Sequence, residues 1–287
     1  MVHAVFGPAG TSDSYIERGY KNQLSMPEYL KEFGLEAYEY QCGHGLKVSD
    51  QTAENFGNVM AQSGIVLSLH APYYISLSSI EQEKRDKSVT YIWQSARLAH
   101  LMGAKRIIVH TGSCGKLSRA DALALAADTL RRALQKLEEE ALADHVTICP
   151  ETMGKINQLG TLEEVLTLCK LDDRLIPCID FGHLNARTLG AIRTKEDYRA
   201  ILDATENALG ADRLKNFHAH FSKIEYTAGG EKRHLTFADT VFGPDFDPLA
   251  ELIAQKALTP TIICESAGTQ AEDAAAMMQM YRSYLNR

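Results

Sequence analysis

Histidines and carboxylates recur in this 287-residue chain at the ends of short apolar runs, where they could gather around a metal. His70 closes Leu67-Ser68-Leu69-His70, His110 closes Ile107-Ile108-Val109-His110, and Glu151 closes the run at 146–151. Asp180 closes Pro177-Cys178-Ile179-Asp180, with His183 three residues on; His218 and His220 lie in the run 217–221, and Glu265 closes 261–265. Any one of these has a plain structural explanation as a satisfied polar group. Six successive runs carrying such a residue at one end do not. Imidazole nitrogen combined with carboxylate oxygen suits zinc, manganese or iron better than magnesium or calcium, which favour all-oxygen shells. The donors are too many for one four-coordinate ion, so two or three ions sharing a carboxylate is the better reading.

The elements that must position these groups follow from periodicity. Strand-like runs at 4–6, 37–41, 65–70, 106–110, 146–151, 176–180, 217–221 and 261–265 alternate with amphipathic stretches at 27–33, 53–63, 89–102, 119–141, 162–169 and 271–284. Near-continuous apolar strands separated by helices imply a parallel sheet covered on both faces. Eight such units predict a (β/α)₈ TIM barrel, whose active site forms at the C-terminal ends of the strands. An open doubly wound sheet is the alternative, but Gly7-Pro8-Ala9-Gly10 after the first strand is not a dinucleotide-binding loop. No Pro-, Gly- or Ser-rich linker divides the chain, so a single domain over 1–287 is expected. The longest irregular stretch, 222–247, is expected to be a functional loop.

Composition narrows the classes further. The net charge of −7 argues against gripping nucleic acid through overall field, although bound cations reverse the potential locally. Six cysteines without a C-x-x-C pair read as reduced, buried thiols of a cytoplasmic protein. No signal peptide or membrane span is expected, since no apolar run reaches the required length. His3, His100 and His145 lie away from the strand ends on the active face; His44, in the loop after the second strand, is read as a loop residue, and His218 shares its side of the strand with His220.

Taken together, these residues resemble the endonuclease IV family. The segments that carry the likeness are Leu69-His70-Ala71-Pro72-Tyr73, Val109-His110-Thr111-Gly112-Ser113, Cys178-Ile179-Asp180-Phe181-Gly182-His183, His220-Phe221-Ser222-Lys223 and Cys264-Glu265. The resemblance implies a TIM barrel with a zinc cluster that cuts damaged double-stranded DNA on the 5′ side of abasic sites. It implies that His70 and His110 bind a first metal, that Glu151 bridges to a second, and that Asp180, His220 and Glu265 complete that second site. His183 would bind a third, with ligands from the seventh loop. There the family carries Asp-x-His, whereas this chain reads Gly230-Glu231-Lys232-Arg233-His234, with lysine at the expected aspartate position. His234 matches the histidine; Glu231 could substitute for the aspartate, or Lys232 could supply positive charge catalytically. Ser76 stands where the family has asparagine, and the loop after the second strand lacks the expected arginine.

The same resemblance gives Tyr73 a place filling the stack vacated by an extruded nucleotide, and Lys223, Lys232 and Arg233 a place against phosphates. No protein partner and a monomeric state are expected. The rival enzyme is a single-metal sugar isomerase or epimerase, for which Glu151, Asp180, His220 and Glu265 would suffice. His70, His110, His183 and His234 are surplus to that reading. A barrel that binds metal without turnover is the non-enzymatic alternative.

Overall fold

The computed structural model describes residues 3–43 and 45–285, so His44 lies outside the described residues. Its main sheet has eight parallel strands: β1 (Val5–Pro8), β2 (Ala37–Gln41), β3 (Val66–His70), β4 (Arg106–His110), β5 (Thr147–Glu151), β6 (Cys178–Asp180), β7 (His218–Phe221) and β10 (Thr261–Cys264). They run in the order β1-β10-β7-β6-β5-β4-β3-β2. The open ends meet as Glu36 donates its amide to Phe6 (3.1 Å) and Gly10 donates to the Glu39 carbonyl (3.0 Å). The result is the expected TIM barrel, and the strand ends differ from the periodicity reading by no more than two residues.

Helices α1 (Asp13–Glu17), α2 (Met26–Glu32), α3 (Asp50–Gln62), α4 (Gln82–Leu101), α5 (Arg119–Glu139), α6 (Leu162–Cys169), α7 (Phe181–Arg187), α8 (Lys195–Leu209), α9 (Ala211–Lys215), α10 (Asp247–Gln255) and α11 (Gln270–Leu285) connect the strands. The main core lies between strands and helices. Tyr38, Leu69, Ile107, Ile148, Ile179, Ala219 and Ile262 face outward to meet Tyr29, Leu30, Phe56, Met60 and Tyr198. The alternate residues point into the barrel, where Glu39, Ser68, Cys149, Cys178 and His218 are buried beneath the donor groups at the mouth. Helix α4 begins seven residues before the amphipathic pattern, because Gln82-Glu83-Lys84-Arg85 favours helix without adding an apolar stripe.

The seventh loop corrects the expectation of irregular structure. It contains an antiparallel hairpin, β8 (Ile224–Thr227) and β9 (Gly230–His234). The pairing runs Ile224 to His234, Glu225 to Arg233, Tyr226 to Glu231 and Thr227 to Gly230, so Lys232 is an extra, bulged residue. The hairpin docks against the loop after β5: Glu231 donates its amide to the Gly154 carbonyl (3.1 Å), and Ile156 donates to Gly229 (3.0 Å). Only glycines allow this approach. A Cβ on Gly154 would sit 2.6 Å from the Glu231 Cβ, and Gly230 has φ +88°.

Candidate metal centre

The strand ends bring His70, His110, Glu151, Asp180, His220 and Glu265 to one mouth, and the neighbouring loops add His183, Glu231 and His234. Glu151 is at the centre and fully buried. Its Oε2 lies 3.4 Å from His70 Nε2 and 3.2 Å from His110 Nε2. Its Oε1 lies 3.0 Å from His220 Nδ1 and 3.5 Å from His183 Nδ1. The two oxygens therefore serve different histidine sets.

Local structure sets each ring. Asp180 caps α7, its Oδ1 accepting the His183 amide at 2.7 Å, which explains the spacing of three between them. His70 donates from Nδ1 to the Ala71 carbonyl (2.8 Å), and His183 from Nδ1 to the Thr152 carbonyl (3.0 Å). His234 Nδ1 is 2.8 Å from Ser222 Oγ. The Nε2 atom of His183 then faces Glu231 Oε2 at 3.5 Å. Because of the bulge at Lys232, Glu231 and His234 reach the same cavity even though they are three residues apart.

Electrostatics in this cluster are those of crowded, desolvated charge. Burial would raise Glu151, but His220, His110 and His183 hold it well below the ordinary carboxylate range. Burial, together with Glu265 and Glu151, pushes Asp180 up to about 7 despite His183. Burial works against protonation of His70, yet Glu151 lifts it to about 9. His183 and His220 are likewise raised well above their ordinary values against burial, by Asp180 in the first case and by Cys178 and the surrounding carboxylates in the second. Burial lowers His234.

The donor chemistry fits metal ions. Glu151 Oε2 and Asp180 Oδ2 are buried without a hydrogen-bond partner. Donor atoms within 4.8 Å of one another form four groups at the mouth: His70, His110 and Glu151; His70, His220 and Glu265; Glu151, Asp180, His220 and Glu265; and His183, His234 and Glu265. Glu151 is shared between two of these groups and Glu265 among three. A cavity of about 360 Å³ opens above them, lined also by Gln41, Gly43, Tyr73, Met153, Lys155 and Gln158.

The remaining sequence candidates are placed differently. Tyr73 stands on the cavity rim, 55% exposed. Lys232 and Arg233 turn to the outer face of the hairpin, where both bind Glu225 (2.5 and 2.6 Å), so Lys232 does not enter the cavity as a catalytic cation. The bulge is the reason, since it rotates Glu231 inward in the place where an aspartate was expected. Lys223 is tied to the Asp239 carbonyl (2.6 Å) and lies outside the cavity lining. Lys155 is the one lysine or arginine among the described lining residues, and sequence reasoning missed it. His3 pairs with Glu36 on the surface, and His100 packs on His145 with ring centroids 4.6 Å apart. All six cysteines are free and buried. No helix among the described residues is long and apolar enough to cross a membrane.

Comparison with known proteins places the architecture. Residues 27–284 match the family model described as xylose isomerase-like TIM barrel. An uncharacterized protein of Methanocaldococcus jannaschii is 32% identical over 279 residues, covering 96% of each chain. A probable endonuclease 4 of Mycoplasma pneumoniae is 30% identical over 202 residues, covering 68% of this chain and 65% of its own. Endonuclease IV from Thermus thermophilus superposes with a TM-score of 0.67 at 20% identity, over 93% of this chain and 96% of that one. A D-tagatose 3-epimerase-like protein superposes with a TM-score of 0.68 at 18% identity, over 90% and 92%. The family model spans most of the sequence and takes in the strands that carry the donor cluster, so the chain belongs to the xylose isomerase-like TIM barrel family.

Proposed function

We propose that the protein is a metal-dependent phosphodiesterase of the endonuclease IV kind, hydrolysing DNA 5′ to abasic sites. The observation that carries this reading is Glu151, whose two oxygens address two separate histidine sets, with further donors beyond. A single-metal isomerase would use Glu151, Asp180, His220 and Glu265 and would leave His70, His110, His183, Glu231 and His234 without a task. The relatives named endonuclease 4 support the same reading.

On this reading His70 and His110 hold one ion with Glu151. Asp180, His220 and Glu265, together with Glu151, would hold a second, and His183, His234 and Glu231 would hold a third. Zinc suits the donor set best, and manganese and iron(II) suit it next. When bound, such ions polarise a phosphoryl oxygen and bring the pKa of water to about 7. Glu151 and Asp180 counterbalance the charge of the site. Lys155 meets a substrate phosphate, and Tyr73 at the rim packs against the base left unstacked when the abasic nucleotide is extruded. Hydrolysis leaves a 3′-hydroxyl and a 5′-deoxyribose phosphate. The substrate is double-stranded DNA, and the protein acts as a monomer in the cytoplasm.

One observation favours the second reading, a sugar isomerase or epimerase. The mouth has one lysine or arginine among its described lining residues, and the chain is acidic overall. The deciding test is incision of a duplex carrying one abasic analogue, with metal content measured on the same sample. Incision 5′ to the lesion, lost in His110→Ala, with two or three transition metals per chain, is the expected result. No incision with one metal per chain, and turnover of a ketose, would replace this reading by the second.

A further inference from the structure

The loop after β5 brings Lys155 and Gln158 to the cavity on a tight turn. Gln158 donates its amide to the Lys155 carbonyl at 3.0 Å, and its side-chain Oε1 accepts the Lys155 amide at 3.1 Å. A turn this short leaves carbonyls with no helix or sheet partner, and each needs a donor from elsewhere. Two arginines supply them. Arg187 donates from Nη1 to the Met153 carbonyl (2.5 Å) and from Nη2 to those of Gln158 (3.3 Å) and Ile156 (3.5 Å). Arg119 donates from Nη1 to Ile156 (3.1 Å) and from Nη2 to Gln158 (3.0 Å). The two guanidiniums thus hold the same pair of carbonyls, and neither arginine lines the cavity. With the amides of Glu231 and Cys114 on Gly154 and Asn157, and Thr111 Oγ1 on Leu159, every carbonyl from Met153 to Leu159 has a donor.

The two arginines are not equivalent. Arg119 opens α5 and meets the Glu164 carboxylate through two hydrogen bonds of 2.7 Å, which balances its charge. Arg187 ends α7, one helical turn past His183, and its hydrogen bonds all go to carbonyls of this loop. A half-buried cation committed to three neutral carbonyls contributes shape rather than charge pairing, because its planar fork fixes three points of one short segment. We infer that Arg187, assisted by Arg119, is a positioning residue that sets the turn 155–158 and so holds Lys155 at the cavity for a substrate phosphate. The inference rests on the phosphate contact proposed for Lys155 and assigns its geometry to a residue outside the cavity.

The test is steady-state incision of a duplex carrying one abasic analogue by the zinc-loaded whole protein, over a series of salt concentrations. Lys155→Met should raise KM about 10-fold with a much smaller fall in kcat, and should lower the slope of log KM against log salt by about one. Arg187→Met is expected to reproduce both changes, and the double variant to be no worse than Lys155→Met alone. A merely structural role would lower Tm without moving the salt slope. Folded Arg187→Met with wild-type KM and slope would overturn the inference, as would an Arg187→Met effect undiminished in the Lys155→Met background. Loss of zinc from Arg187→Met would also overturn it, by assigning the arginine to the hairpin donors. If Arg187→Met does not fold, Arg187→Lys is read in its place: it keeps the charge but cannot span three carbonyls, so KM should still rise, and a wild-type KM refutes the inference. Wild type that makes no incision would sink the nuclease reading itself. Incision unchanged in Lys155→Met would sink the phosphate contact and this inference with it, whereas Lys155-dependent incision unchanged in Arg187→Met would sink the inference alone.

Discussion

Glu231 and His234 face one cavity from the same short strand, although a regular strand would send residues three apart to opposite faces. The extra residue at Lys232 restores the match. Deleting Lys232 should therefore leave Tyr226 opposite Glu231 and Glu225 opposite Arg233 in unbroken register, with Glu231 and His234 two residues apart and still together. The expected outcome is unchanged metal content in the deletion and in Lys232→Ala, against loss of one metal per chain in Glu231→Ala. Elemental analysis of the purified proteins checks it. Loss of metal in the deletion would refute the bulge argument.

Glu151→Gln should be the most damaging single change at the mouth. It removes the shared negative charge while leaving His70, His110, His183 and His220 crowded together. Metal content should fall by at least two ions per chain, and phosphodiester hydrolysis by about 10³-fold or more, given that metal activation supplies several kcal/mol. Single-turnover kinetics at saturating zinc would read this, and near-normal turnover would rule out a bridging role.

The protonation states predict a pH signature. In the metal-free protein His70 is raised from 6.5 to about 9, so its stabilising contribution is complete below pH 6.5 and disappears as pH rises through 9. Asp180, raised from 3.8 to about 7, acts in the same direction over its own lower window. Metal-free Tm should consequently fall between pH 6.5 and 9. Zinc competes with those protons, so its apparent affinity should rise over the same interval and binding should release protons. Calorimetry in buffers of different ionisation enthalpy measures the release, and zero release at pH 7 would contradict the assignment.

Gly154→Ala tests how the hairpin is held. The added methyl would lie 2.6 Å from the Glu231 Cβ and 2.9 Å from the His183 ring. Overpacking of this kind costs about 1–3 kcal/mol. We expect that loss in denaturant unfolding, with weakened binding at the Glu231 and His234 group and little change at His70 and His110. Wild-type behaviour at both would show the hairpin to be freer than its hydrogen bonds imply.

What is legible in the sequence follows from how each residue is positioned. His70, His110, Glu151, Asp180 and Glu265 can be read directly, because each ends an apolar run and the fold places all such ends at one mouth. Glu39 carries a subtler signal: a carboxylate flanked by two tyrosines whose face belongs to the outer core. Alternation alone points it inward, next to His218. The hairpin is harder, since Ile224–Thr227 alternates over four residues only and Gly230–His234 is glycine and charge with no apolar period. Lys155 and Gln158 reach the cavity through a loop bent by contact with that hairpin, a tertiary effect with no local trace. Lys232 and Arg233 look like phosphate contacts because charge in a loop says nothing about direction; Glu225 on the paired strand supplies it.

The hairpin belongs to a separate two-stranded sheet and borrows nothing from the ladder that closes the barrel. It meets the rest of the mouth through the backbone of Gly154 on the loop after β5 and through helix α7. Its length and register can therefore drift by single-residue insertion or loss while the eight-stranded frame and the donors built into it stay where they are. Such a rim is the part of the protein that can be retuned with least disturbance to the barrel beneath it.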